Sequence, residues 1–372
     1  MSAPASTMRL GNTDRELVNG RTQEYPGSTS VVVIIPVHNG GVEFRRCLAS
    51  VANAHPKPSA VVVVADGGGD DSWRVAQEFG ARIVRRSKAG GPGVARNVGA
   101  RAVRKDDILF FVDADVMIPH DAIGHVAEFF QHNPSVAAMI GSYDDKPTQQ
   151  NFLSQYKNLL HHYTHQSAQE NASTFWGACG AIKAEIFHKM GGFDESYGRP
   201  SIEDIELGYR VKRQGYQIRL CKTLQVTHQK CWKVRSLLKA EIFDRALPWT
   251  ELIHRDGRCI NDLNLKYSAR ISVLLTYGAL LTGLGSLWSS QFLPIAAFCS
   301  IALLLLNAPV YRFFHSKRGP WFAVRAIPWH VLYFFYSGFA FMLGSISYWL
   351  GRPSRATFAP AIERRSPSPS SL

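Results

Sequence analysis

Seven consecutive apolar residues, Val31–Val37 (VVVIIPV), constrain the fold more than any other stretch of the chain. A strand with one wet face alternates polar and apolar residues. An unbroken β-branched run has both faces buried, as inside a parallel sheet covered by helices. Similar runs recur at Ala60–Ala65, Ala81–Arg85 and Ile108–Val112. Helical patterns lie between them, near Val42–Asn53, Asp71–Phe79 and Gly93–Val103. Strands alternating with helices predict a parallel α/β sheet. Ligands of such sheets gather at the carboxyl ends of the strands. Here those ends carry His38-Asn39, Asp66 and Asp113-Ala114-Asp115.

Aspartates at i and i+2 of a strand point the same way. Asp113 and Asp115 can therefore hold one hard divalent cation, or they can be two solvated turn residues. Asp66 opens the segment Asp66-Gly-Gly-Gly-Asp-Asp71. Asp66 at a strand end can hydrogen-bond a base or ribose, while Asp71 reads as a helix cap. Gly90-Gly-Pro-Gly-Val-Ala-Arg96-Asn97-Val-Gly99 runs from a glycine-rich turn into a helix, where Arg96 can meet a phosphate. It is neither a dinucleotide fingerprint nor a Walker A loop. Glu203-Asp204-Ile-Glu206 precedes a helical pattern, Leu207–Arg213. A carboxylate there can serve as a general base, or the acids can stabilise a helix start. Phe175–Gly180, with Trp176 and Gly177, either lines a pocket or packs. His228, after a short strand pattern at Leu224–Val226, is a candidate third metal ligand or a structural histidine.

The last third of the chain changes character. Runs 271–288, 292–311 and 331–350 carry no charge, and each is long enough as a helix (about 27 Å for 18 residues) to approach a bilayer core. Trp288, Tyr311, Trp329, Tyr348 and Trp349 sit near their ends, like interfacial belts. Three membrane helices are expected, with the basic 312–325 loop cytoplasmic beside the N-terminal region. Arg352, Arg355, Arg364 and Arg365 in the tail fit that topology poorly. One run can then be re-entrant, and Gly338 and Gly344 would let the third bend. Residues 232–253 pattern as a basic amphipathic helix, either at the membrane surface or packed on the core.

The expected organisation is a disordered tail (1–29), a catalytic domain (30–230), interfacial linker helices (231–268), a membrane region (269–350) and a second disordered tail (351–372). The net charge of +13 over 372 residues suggests an anionic partner. No nucleic-acid module accompanies the charge, so nucleic acid is not expected. Cys47, Cys179, Cys221, Cys231, Cys259 and Cys299 form no C-x-x-C pair and read as reduced thiols.

Taken in order, Ile35–Asn39 (IPVHN), Ala65–Ser72 (ADGGGDDS), Gly93–Ala100 (GVARNVGA), Asp113–Asp115 (DAD), Gly191–Glu195 (GGFDE) and Glu203–Leu207 (EDIEL) resemble the family 2 glycosyltransferases. The resemblance spans about Ser30 to His228. It implies an α/β GT-A nucleotide-sugar-binding domain, Rossmann-like with a mostly parallel sheet, followed here by transmembrane α-helices. It implies an inverting sugar transfer assisted by Mg²⁺ or Mn²⁺. Pro36 and His38 would flank the nucleobase and Asp66 would read it. Asn39, Arg96 and Asn97 lie in the donor-side motifs. Asp115, Asp113 and His228 would hold the metal, Asp204 with Glu203 would form the base site, and Trp176 and Gly177 would face the acceptor.

The glycines and aspartates at 67–71 depart from the Ser/Thr-rich version of that motif. Gln229-Lys-Cys-Trp232 and Arg245-Ala-Leu-Pro-Trp249 do not form the Q-x-x-R-W of processive synthases. One sugar per acceptor is therefore expected over polymerisation. A UDP-sugar is the expected donor, and a lipid-linked or glycan acceptor is expected at the cytoplasmic face of a multi-pass inner-membrane protein. A processive synthase, or an inactive scaffold binding anionic membrane lipid, is the alternative.

Overall fold

The computed structural model describes residues 17–18, 30–257 and 260–351. The expected terminal tails, apart from 17–18 and Gly351, and Cys259 lie outside the described residues. The strands are β1 (Leu17–Val18), β2 (Val31–Val37), β3 (Ala60–Asp66), β4 (Arg82–Arg86), β5 (Ile108–Val112), β6 (Val116–Met117), β7 (Val136–Tyr143), β8 (Asn171–Ala172), β9 (Cys179–Lys183) and β10 (Gln217–His228). They form one sheet in the order β1-β4-β3-β2-β5-β9-β7-β10-β6, with β8 paired to β10.

The four apolar runs become β2, β3, β4 and β5, mutually parallel. All seven residues of β2 and all five of β5 are buried, as their unbroken apolarity requires. The sheet is not parallel throughout. β9 enters antiparallel between β5 and β7. Its register puts Cys179 opposite Val112, so the residues leading into β9 lie beside the aspartates that follow β5. Helices cover both faces, each with its own apolar core. One contains Phe44, Val63, Phe110 and Met139, the other Ile34, Phe111, Phe187 and Leu207.

Residues 234–256 form one helical rod, α-helical over Val234–Lys239 and Leu247–Asp256, with a π-helical turn at Ala240–Ala246 between. The rod is sandwiched rather than laid on a surface. Leu237 packs with Leu153 and Trp232, and Leu252 with Tyr197, Ile202 and Tyr209. Val234 and Phe243 remain exposed.

Helices Tyr267–Gly285, Leu293–Leu306, Ala308–Arg318 and Pro320–Trp349 follow. The expectation of three spans is not what the helices form. Among the described residues, only Pro320–Trp349 is by itself long and apolar enough to cross a membrane. The run 292–311 is broken at Asn307, where two helices meet at 54°. Asn307 donates to Ser272 Oγ at 2.9 Å, and Pro309 starts the next helix. A side-chain hydrogen bond and a proline together explain the break. The basic corner after the break docks on the sheet domain: Lys317 pairs with Asp145 at 2.7 Å, and Arg318 donates to Gln155 Oε1 and the Asp145 carbonyl.

Candidate active site

Arg96 is the hub. It is 3 % exposed, in the helix Pro92–Ala100. Nη1 donates to Glu203 Oε1 at 2.9 Å and Nη2 to Asp113 Oδ1 at 2.6 Å. One guanidinium thus joins the carboxyl end of β5 to the start of helix Glu203–Arg213. Burial disfavours its charge, but the carboxylates around it hold it protonated. The sequence reading placed Arg96 on a donor phosphate. Here its two terminal nitrogens meet flanking carboxylates, while its Nε is buried without a hydrogen-bond partner. Glu203 is consumed: it is buried, with Arg96 on one oxygen and the Ser201 N–H on the other.

Among the described residues, Asp204 has no ion-pair partner and is held by two backbone donors. The Gly177 N–H reaches Oδ2 at 3.0 Å and the Ile205 N–H reaches Oδ1 at 2.8 Å. Burial and then the neighbouring Glu203 carboxylate push its carboxyl up to about 6, against the two backbone donors and Arg96. A carboxylate titrating near neutrality is suited to take a proton. Gly177 therefore touches the carboxylate, and it also makes room for the hub. A Cβ there would lie 2.7 Å from Arg96 Cζ.

Asp115 Oδ2 and His228 Nε2 approach to 3.7 Å, and Lys230 Nζ lies 3.8 Å from the same oxygen. β10 pairs antiparallel with β6, setting His228 opposite Val116, one residue past Asp115. Burial, then Lys230, pulls the imidazole down to about 3, so it is neutral with a lone pair to offer. Burial raises the Asp115 carboxyl, against the pull of Lys230. Asp113, expected beside them, is turned to Arg96. Among the described residues, no three His, Cys, Asp or Glu side chains group closely enough to hold a metal by themselves. Asp115 and His228 are a two-residue donor set that fits a divalent cation whose other positions a phosphate ligand fills.

On the donor side the structure departs further from expectation. Asp66 is buried, and its oxygens accept from Arg86, from the Gly90 N–H and from the Gly91 N–H at 2.8 Å. It braces the glycine-rich turn. Asn97 is also buried, clamping the Phe193 N–H and carbonyl and Glu195. Pro36 is buried inside β2 opposite Val64. His38 and Asn39 are exposed at the end of β2. His38 Nδ1 meets the Asp66 carbonyl at 2.8 Å, and Asn39, at φ 54°, accepts from the Gly69 N–H. A polar recess of about 310 Å³ opens beside them, lined by Asp70, Ser72, Trp73, Arg85 and others.

The larger cavity, about 450 Å³, has Asp204 and Trp176 in its wall. It lies between the sheet domain and the C-terminal helices, which contribute Leu306, Val310 and Phe334. Lys157, His161 and Arg245 also line it, and Tyr143 stacks on His228 with ring centres 4.4 Å apart. None of these four was singled out from the sequence for the site. Arg245 appeared there in the basic helix at 232–253 and in the segment that does not form Q-x-x-R-W. Tyr143, Lys157 and His161 lie in segments with no motif signal.

Residues 32–191 match the family described as glycosyl transferase family 2. The chain is 25% identical over 245 residues to the pre-mycofactocin glycosyltransferase of Mycobacterium tuberculosis, covering 62% of this chain and 49% of that protein. It is 24% identical over 240 residues to the validoxylamine A glucosyltransferase of Streptomyces hygroscopicus subsp. limoneus, covering 53% and 52%. The chain thus spans about half the length of these curated relatives. The mannosyltransferase PcManGT from Pyrobaculum calidifontis, solved with GDP-Man and Mn²⁺, superposes with a TM-score of 0.53 at 16% identity, covering 90% of this chain and 91% of that one. That likeness is one of fold.

Proposed function

We propose, from the premise that the chain belongs to the family 2 glycosyltransferases through its domain at 32–191, that it moves one sugar from a nucleotide-sugar to an acceptor hydroxyl at a membrane. The observation that carries this reading is the Arg96 bridge. It ties Asp113, two residues before Asp115, to Glu203, the neighbour of Asp204. A phosphate-side pair and a basic carboxylate are thereby held in one rigid arrangement, as an in-line displacement requires.

In this reading the acceptor hydroxyl lies in the large cavity and gives its proton to Asp204, which the Gly177 and Ile205 N–H groups orient. Attack from that side inverts the anomeric carbon. The departing diphosphate lies near Asp115, His228 and Lys230. Mg²⁺ or Mn²⁺ held by Asp115 and His228 would neutralise charge on that leaving group. A UDP-sugar remains the favoured donor, and a lipid-linked acceptor fits the cavity's position against the C-terminal helices. Those helices expose large apolar side chains: Leu287 is 78 % exposed, Trp288 83 %, Trp321 71 % and Trp349 74 %. Apolar patches of that kind mark an interaction or membrane surface. The chain is read here as membrane-anchored, with the docked basic corner and the sheet domain on the cytoplasmic side.

The test is donor binding by the detergent-purified chain across UDP-, GDP- and dTDP-sugars, with and without Mn²⁺. One donor binds, needs the metal, and is lost in Asp115→Ala. Binding of no donor by folded wild-type protein would overturn the reading.

A further inference from the structure

Lys157, Glu241 and Arg245 form a charged bracket that the reaction as described does not use. Glu241 is buried on the π-helical turn. Its Oε2 takes Lys157 Nζ at 2.7 Å and its Oε1 takes Arg245 Nη1 at 2.7 Å. Tyr336 Oη also reaches Oε2, at 3.4 Å. Glu241 therefore sits behind the two cations, while Lys157 and Arg245 line the 450 Å³ cavity that Asp204 also lines.

The bracket itself carries a net positive charge, Lys157 and Arg245 against Glu241, with Asp204 in the same wall; Lys266, also in the wall, faces Asp262. His161 and His165, also in the wall, add no charge near neutral pH, because burial holds the first well below its ordinary range and the second at about 4. The donors are not spent either. Among the described residues, Glu241 is the one hydrogen-bond partner of Lys157 and of Arg245. An ammonium has three N–H donors and a guanidinium five, so most of theirs are left to whatever fills the cavity. A guanidinium fork matches a planar carboxylate or a phosphate. The C-terminal helices add the apolar side chains Leu306, Val310 and Phe334 to a wall that also carries polar ones such as Ser201, Asn264 and Asn307. A π-turn inside an α-helical rod is itself a feature that concentrates at functional sites.

We infer that the Lys157–Glu241–Arg245 bracket binds a fixed anionic group, phosphate or carboxylate, carried by an amphiphilic acceptor beside the hydroxyl that Asp204 deprotonates. This rests on the transferase reading above. It adds that the acceptor is an anion with an apolar body, and that Glu241 holds the two cations apart and aimed while leaving them a net positive charge.

Hexyl phosphate, hexanoate and hexanol, titrated into the donor-loaded full chain by calorimetry, test it. Hexyl phosphate is expected to bind at least tenfold tighter than hexanol. That preference should fall below threefold in Lys157→Met and in Arg245→Met, with donor affinity unchanged. Hexanoate matching hexyl phosphate assigns the bracket to any anion, and hexanoate behaving as hexanol assigns it to phosphate; both support the inference. Equal binding of hexanol and hexyl phosphate by the wild type overturns it, and that comparison needs no variant to fold. So does a preference that survives both substitutions, or an Arg245→Met chain that loses donor rather than hexyl phosphate. Wild-type protein that binds no nucleotide-sugar defeats the transferase reading instead, whatever the hexyl ligands do.

Discussion

Replacing Arg96 by methionine removes the cation that two carboxylates share. Asp113 is 33 % exposed at its side chain, so water takes over its half of the pair. Glu203 is buried and keeps one donor, the Ser201 N–H. Deleting one partner of a buried ion pair costs about 3–5 kcal/mol, because the other charge stays behind unpaired. For a chain of this size that lowers the unfolding midpoint by about 4–6 °C. Arg96→Lys keeps the charge but loses the fork, and falls between. The double variant Arg96→Met/Glu203→Met removes the stranded charge, so at least half of the loss should return. Thermal unfolding followed by tryptophan fluorescence reads all three, alongside a donor titration on each folded variant. If Arg96→Met leaves the midpoint within about 1 °C of wild type, near 1 kcal/mol, while donor binding disappears, then Arg96 faces the donor and the hub argument is refuted.

Asp204→Asn should lower kcat by about 10²–10⁴-fold with donor affinity unchanged. A base works when unprotonated, and Asp204 is raised to about 6, so kcat/KM should climb as pH rises through 6 and level above it; a flat profile from pH 5 to 7 contradicts this assignment. Gly177→Ala puts a Cβ 2.7 Å from the pinned Arg96 guanidinium, and a steady-state assay should show at least tenfold lower kcat; wild-type turnover would show that the guanidinium has room to move. The full chain should float with phosphatidylglycerol vesicles on a density gradient, whereas recovery at the bottom as detergent-free soluble protein argues against a membrane surface.

Much of the catalytic half was legible because burial on two faces leaves a mark in linear sequence. The apolar runs at 31–37, 60–65 and 108–112 became β2, β3 and β5, and the polar residues after them sit at the strand ends. The antiparallel entry of β9 was not legible, because strand direction depends on how the chain returns across the sheet. The apolar C-terminal runs were visible too, but the helix break was not. It depends on Asn307 meeting Ser272, thirty-five residues earlier.

At the site the division is sharper. Residue type and spacing offered Asp113, Asp115, His228 and the carboxylates at 203–206 as candidates for metal, phosphate and proton chemistry. Only tertiary structure decided which polar residues remain available. Asn97, Asp66 and Glu203 have the same chemistry as ligand-binding residues, yet each is engaged by a partner 20 to 107 residues away. The physical reason is that a side chain's hydrogen-bonding capacity is finite. A motif specifies the donors and acceptors a residue brings, and the fold determines which of them are already spent.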